Sequence, residues 1–277
     1  MRSVLVPFLS IIFSFCFTNV FAQQDTVMYQ RDSAIESVYD PLVLYFQQGE
    51  KVKDTRKITL VTKNRKTISL SAFLKDPDRM YADYVFDDLD NDGKKELLVS
   101  NFTGGAHCCD EIYIFKSMGG NKYQHAAKMF GGHTLITEQK KFVFTFYEQF
   151  GYFFTCYACG YTDTTDEAPI DIRTITLGYK SGRLIPVPGD AELKSIINDN
   201  LGKLGEQTYQ PLEDDGDFDD GLRKEFAMNL VVYYFSFGKN LTATQQLFYK
   251  YYKFPDAKKV WTEFVKQLQY MKKDNDF

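Results

Sequence analysis

The chain has 277 residues, 44% hydrophobic and 16% aromatic, with 33 Lys and Arg against 37 Asp and Glu for a net charge of −4. That much apolar and aromatic material buries a sizeable core and excludes a disordered tail. The acidic balance offers no broad basic surface for nucleic acid.

The first 22 residues carry Arg2, no acid and a long apolar run, with Val20 and Ala22 as the small side chains a signal peptidase reads; cleavage is predicted before Gln23. Ser10, Ser14 and Thr18 interrupt the run, which falls short of the ~20 mostly apolar residues that a span requires. Phe15 is too bulky to precede a lipid-carrying Cys16. Removing this leader leaves 32 basic against 37 acidic residues, a net charge of −5. No later segment is apolar enough to cross a bilayer, so a periplasmic or secreted protein is expected.

Residues 23–55 read as an N-terminal lead. Ser33 and Glu36 have capping-box spacing for a short helix, and Pro41 is expected to end or kink any helix running on through Leu44 and Tyr45. From 56 to 187 the pattern is antiparallel sheet. KITLVTKNRKTISL is a hairpin turning near Asn64, EIYIF at 111–115 is a strand closed by MGGN, and IRTITLGYKSGRLIPV turns at Ser181 and Gly182. KFVFTFYEQFGYFFTCY is read as a further hairpin around Gln149 and Gly151, with Phe142, Phe144 and Phe146 on one face of its first arm.

From 188 to 277 the pattern turns helical. Asp190 caps a helix carrying Leu193, Ile196, Ile197 and Leu201 and stopped by Gly202. LRKEFAMNLVVYYFSF is apolar nearly all round and predicts a buried helix ending at Gly238. Thr242 and Gln245 have capping-box spacing for the next helix, which Pro255 ends. Asp256 caps the last one, striped by Trp261, Phe264, Val265, Leu268 and Met271. A sheet followed by consecutive helices gives an α+β fold.

The sharpest motif is DLDNDGKKELLV, residues 88–99. Asp88, Asp90 and Asp92 place carboxylates at loop positions 1, 3 and 5, Gly93 permits the tight turn, the Lys94 carbonyl occupies position 7 and Glu96 position 9. A hard cation with oxygen ligands relieves the repulsion among these acids, and calcium suits the flexible geometry better than magnesium. Asp, Asn and Gly are also ordinary turn formers, which is the plainer account of the same residues. The loop is not an EF-hand: position 12 is Val99, and strand-like Leu97–Ser100 follows where a helix would begin.

The segment FDDLDNDGKKELLVSNFTGGAHCCDEIYIF, residues 86–115, resembles the calcium-loop unit of the FG-GAP and VCBS-like repeat proteins. It looks most like exported bacterial proteins in which a single such loop precedes Gly-Gly-Ala-His-Cys-Cys, here Gly104 to Cys109. The resemblance implies calcium on Asp88, Asp90, Asp92, Lys94 and Glu96. Multi-copy relatives form propeller blades used in adhesion. One clear copy with a helical C-terminal part implies blade-like hairpins without a complete propeller.

A second acidic run, Asp214 to Asp220 before Gly221, reads as a solvated linker supplying helix caps, with weak metal binding as the rival reading. The mature chain keeps Cys108, Cys109, Cys156 and Cys159, an even number that favours two disulfides in an exported protein. Neighbours on a strand face opposite ways, so a bridge between the Cys108–Cys109 and Cys156–Cys159 segments is expected. Thiol–disulfide exchange at Cys156-x-x-Cys159 and a zinc site with His107 are the alternatives.

Of the three histidines, His107, His125 and His133, His107 is the best functional candidate, beside the flexible Gly104 and Gly105. No Gly-x-Ser-x-Gly or His-Glu-x-x-His motif occurs, although a hydrolase built on dispersed acids such as Asp83 and Glu148 stays open. Asn101 and Asn240 head formal glycosylation sequons. The leading expectation is a non-catalytic binding or envelope-structural module, its many tyrosines offering a surface to a protein or carbohydrate ligand. The alternative is an extracytoplasmic enzyme.

Overall fold

Three hairpins read from the sequence form in the computed structural model, which describes residues 41–79, 81–104, 110–131, 135–136, 139–157, 161, 172–212 and 221–277. They are β1 (Thr59–Val61) with β2 (Thr67–Ser69), β5 (Asp110–Ser117) with β6 (Lys122–Gly131), and β9 (Thr174–Lys180) with β10 (Arg183–Pro186). In the last, Ser181 and Gly182 both take positive φ, 52° and 82°, which matches the twist of a two-residue hairpin turn. β3 (Tyr81–Asp87) and β4 (Glu96–Phe102) flank the acidic loop as a fourth hairpin.

The first sheet has the order β2-β1-β6-β5-β4-β3 and the second β10-β9-β8-β7, where β7 is Leu135–Ile136 and β8 is Phe142–Thr145. All pairings are antiparallel except β1 with β6, which run parallel with Leu60 opposite Tyr123. With its helices the chain is therefore α+β, built on a mostly antiparallel six-stranded sheet. Among the described residues no helix is long and apolar enough to cross a membrane.

Strand alternation puts apolar side chains on both faces of the large sheet. Phe86, Leu97, Val99, Phe115 and Tyr123 form a smaller core with Ile58 and with Leu70 and Phe73 of α2 (Leu70–Leu74). Val85, Leu98, Ile112, Ile114, Ala127 and Met129 face the larger core, which takes in Phe142, Phe144, Ile175 and Leu177 of the second sheet. Helices α4 (Ala191–Gly205), α5 (Leu222–Ser236), α6 (Leu241–Tyr251) and α7 (Ala257–Asp274) complete that core.

The structure departs from the local reading at several places. The described part of α1 is Pro41–Gln48, and the Ser33 helix that Pro41 is expected to end or kink lies outside the described residues. The Phe-rich stretch is not a hairpin. Phe146 N–H donates to Arg173 O at 2.8 Å, then the N–H groups of Gln149 and Phe150 turn back to Phe146 O and the chain coils into α3 (Tyr147–Phe150). β9 takes the partner position beside β8, and the coil lets Phe150 pack on Phe264 of α7 at 5.7 Å. Asp190 does cap α4, accepting from Leu193 N–H at 2.8 Å, but the helix runs past Gly202 because Leu204 is buried one turn on. At Gly205 an added Cβ would stand 2.5 Å from Tyr251 O, so that end needs glycine. Finally, Asn240 caps α6 by accepting from Ala243 N–H, leaving Thr242 inside the helix.

Helix α5 is buried almost all round, as its sequence predicts, including Arg223 at 1% and Lys224 at 0% exposure. Arg223 Nε donates to Asp256 Oδ2 at 2.8 Å and its Nη2 to Gln210 O at 2.9 Å, while Lys224 Nζ reaches the carbonyls of Cys156 and Tyr157 at 3.3 and 3.4 Å. Asp256 thus serves Arg223 and Tyr252 Oη and makes no cap bond to α7. After α7, Phe130 N–H donates to Asn275 Oδ1 at 2.7 Å and Asp276 N–H to Lys128 O at 2.9 Å. These are groups on β6 beyond the reach of β1, whose pairing ends at Gln124.

Truncating one partner of a buried ion pair leaves the other charge uncompensated. Arg223→Ala is expected to lower stability by about 3–5 kcal/mol. Urea unfolding measures it; a midpoint like that of the unaltered protein would show that the pair does not anchor α5.

Candidate metal centre

The acidic loop is set by the β3–β4 register, which places Asp87 opposite Glu96. Asp88 organises the turn: its Oδ1 accepts from Asp92 N–H at 3.0 Å and its Oδ2 from Gly93 N–H at 2.9 Å. Asn91 and Gly93 take the positive φ values of 55° and 83° that let the chain double back. Glu96, the first residue of β4, is only 4% exposed, and its Oε2 accepts from Leu89 N–H at 3.0 Å.

Carboxylate oxygens of Asp88, Asp90 and Glu96 all lie within 4.8 Å of one another. Two ligands on one calcium are separated by at most about twice the 2.3–2.6 Å calcium–oxygen distance, so this trio fits around a single ion. Asp92 stands outside it, its Oδ1 accepting from Lys94 N–H at 2.8 Å. The Lys94 side chain is 67% exposed beside Asp92, which leaves only its carbonyl for ligation.

Other segments converge on the loop. Asp90 Oδ2 accepts from Ser181 N–H of the β9–β10 turn at 2.8 Å, joining the second sheet to the loop. Lys140 Nζ donates to Asp87 Oδ1 at 2.8 Å and to Asp88 O at 2.7 Å, and Tyr45 of α1 donates its hydroxyl to Asp87 Oδ2 at 2.9 Å. Two polar atoms are left over: Asp90 Oδ1 and Tyr179 Oη are buried without a hydrogen-bond partner among the described residues. Burial, and then the charges of Glu96, Asp90 and Asp92, push the Tyr179 phenol up. Burial likewise pushes Glu96 up to about 7, with Asp90 and Asp92 adding to the shift. An orphaned carboxylate oxygen amid neighbouring acids is the donor set of a hard cation.

Sequence reasoning found the acids and missed Tyr45, Lys140, Tyr179 and Ser181. Ser181 was legible as a turn residue, but its meeting with Asp90 spans 91 positions of chain. The remaining candidates separate. His107, Cys108, Cys109, Cys159, His133, the capping box at Ser33 and the acidic run 214–220 lie outside the described residues. Cys156 is half-buried in the turn after α3. His125 Nε2 lies 3.2 Å from Asp276 Oδ2 and edge-on to Phe115. Asp83 pairs with Lys51 and Glu148 accepts from Tyr157 Oη, so each acid has its own partner. Asn101 is fully buried in β4, which removes its sequon from the surface, and Asn240 is the cap of α6.

Comparison with protein families, curated proteins and solved structures returns no match.

With divalent metal chelated, the raised Glu96 value has a definite sign. The fold favours the neutral acid, so its contribution is complete below about pH 4.5 and is lost as the pH rises through about 7. The chelated protein is expected to melt lower at about pH 8 than at about pH 5, and Glu96→Gln to flatten that slope. Calorimetry at the two pH values checks both. An unchanged slope in the variant would assign the titration to another group.

Proposed function

We propose that the chain is an exported, calcium-stabilised module of binding or envelope-structural type, non-catalytic, carrying one loop of the FG-GAP and VCBS-like kind. The observation that carries this reading is the buried, unpartnered Asp90 Oδ1 beside Asp88 and Glu96. Calcium there would be held by Asp88, Asp90 and Glu96, with the Lys94 carbonyl and Asp92 as the further oxygens of the loop pattern. It would neutralise the acids and fix the loop against the Ser181 turn. The leader, with Arg2, no acid and the small residues Val20 and Ala22, supports export. Cys156 in disulfide form supports an oxidising destination and a clamp within the four-cysteine set.

Binding to the folded form alone raises stability by mass action, about 2.7 kcal/mol at a hundredfold excess over Kd. For a chain of this size that is a rise of roughly 5–10 °C in Tm. Calorimetry with calcium and with chelator is expected to show this difference in the natural sequence and to lose it in the double variant Asp88→Asn, Asp90→Asn. Equal melting with and without calcium would remove the reading. Reduction is expected to cost a further ~2–4 kcal/mol if one bridge is lost; a melting curve indifferent to dithiothreitol would count against the clamp.

A further inference from the structure

A cleft of about 430 Å³ opens between the Gln149–Thr155 turn and the face of α7 that carries Lys259, Glu263, Lys266 and Gln267. Tyr152 stands at its edge, 66% exposed, with its ring 5.3 Å from that of Tyr157. It is the one broadly exposed apolar group there, since Phe153 and Phe154 are buried. Phe154 holds φ at +55°, a conformation that a bulky side chain resists and that the surrounding packing must enforce. The turn is also pinned from behind: Gln149 Nε2 donates to Phe130 O at 2.8 Å and Gln267 Nε2 donates to Gln149 O.

Taking the chain as a binding module, we propose that this cleft is a carbohydrate site for neutral glycans. A sugar ring has an apolar C–H face and a rim of hydroxyls that both donate and accept. Tyr152 offers a single flat apolar platform for the face. The Gln267 amide oxygen, Glu263 and the two lysines offer carbonyl, carboxylate and ammonium groups for the rim, spaced along one side of a rigid helix. Glu263 and Lys266 pair at 3.1 Å, which leaves Lys259 as the one further charge of the lining and no cluster of cations to select an anion. An apolar peptide would need a greasy trough, and the cleft has one exposed ring. Its walls are held by packing and by glutamine side chains donating to backbone carbonyls, which suits recognition of a ligand without rearrangement.

The test uses the full mature chain, fluorescently labelled, on a printed array of neutral hexose and N-acetylhexosamine oligosaccharides, followed by titration calorimetry with the oligosaccharide retained best. Retention is expected, and Tyr152→Ala and Glu263→Gln should each weaken it by about tenfold or more. Tyr270→Ala, an exposed tyrosine of the same helix that does not line the cleft, should bind as the unaltered chain does. Absence of retention, retention on acidic glycans alone, capture on a parallel peptide array in place of glycans, or full binding by Tyr152→Ala would each overturn the assignment. The calcium-dependent Tm is read on the same samples. An intact calcium shift with no glycan binding rejects the sugar site and leaves the calcium module standing, and the reverse pattern rejects the calcium site alone.

Discussion

Three carboxylates with oxygens inside 4.8 Å of one another, one of them almost fully buried, set the electrostatic problem that the surrounding structure answers. At an effective dielectric of about 20, two like charges at that separation repel by about 3–4 kcal/mol. The nearby cation does not relieve this, because Lys140 Nζ is directed at Asp87 and at the carbonyl of Asp88. Tyr179 adds a buried hydroxyl that has no hydrogen-bond partner among the described residues and lies in the field of the same acids. Either a proton on Glu96 or a cation among the oxygens settles the balance. Metal binding at the proposed site would therefore compete with protonation of Glu96.

The other demanding feature is the entry to α5, where Arg223 and Lys224 lie buried in a first helical turn that would rather hold acids. Asp256 answers one charge, and the carbonyls of Gln210, Cys156 and Tyr157 supply acceptors for both. The arrangement fixes three things at once: the start of the central helix, the start of α7, and the chain at Cys156. Charge buried in this way adds little to stability compared with apolar packing, yet it ties segments distant in sequence to one geometry.

Local chemistry was readable where the partner lay close in sequence. The Ser181–Gly182 turn, the MGGN turn, the acidic loop and the all-round apolar α5 each carry their own signal. The reading failed where a distant segment decided the outcome. Phe142 to Phe154 has the alternation of a hairpin, but Thr174–Leu177 occupies the place of its second arm, and Phe264 draws Phe150 into a coil. Thr242 and Gln245 match a capping box, but Asn240 two residues earlier offers a competing acceptor that Ala243 N–H takes. The parallel pairing of β1 with β6 has no local mark, since it joins residues about sixty positions apart. Of the candidate site, the ligands were legible and the groups that press on them, Tyr45, Lys140, Tyr179 and Ser181, were not.

One stretch of chain connects these features. Lys140 grips the acidic loop, β8 follows in the second sheet, α3 coils against α7, the strained Phe154 turn borders the cleft, and Cys156 ends the run beneath Lys224. Its two ends are held by different devices, the loop at one and the buried Lys224 at the Cys156 and Tyr157 carbonyls at the other. Local opening in a protein follows the least supported segment. Between these ends the supports are the β8–β9 pairing, the Gln149 and Gln267 bonds and the ring packing of Phe150 and Phe153. In the proposed calcium-bound, disulfide-clamped form, loss of the metal would loosen the run from Lys140 forward and reduction would loosen it from Cys156 back. The cleft lies between, which makes its shape dependent on both anchors, although neither of them lines it.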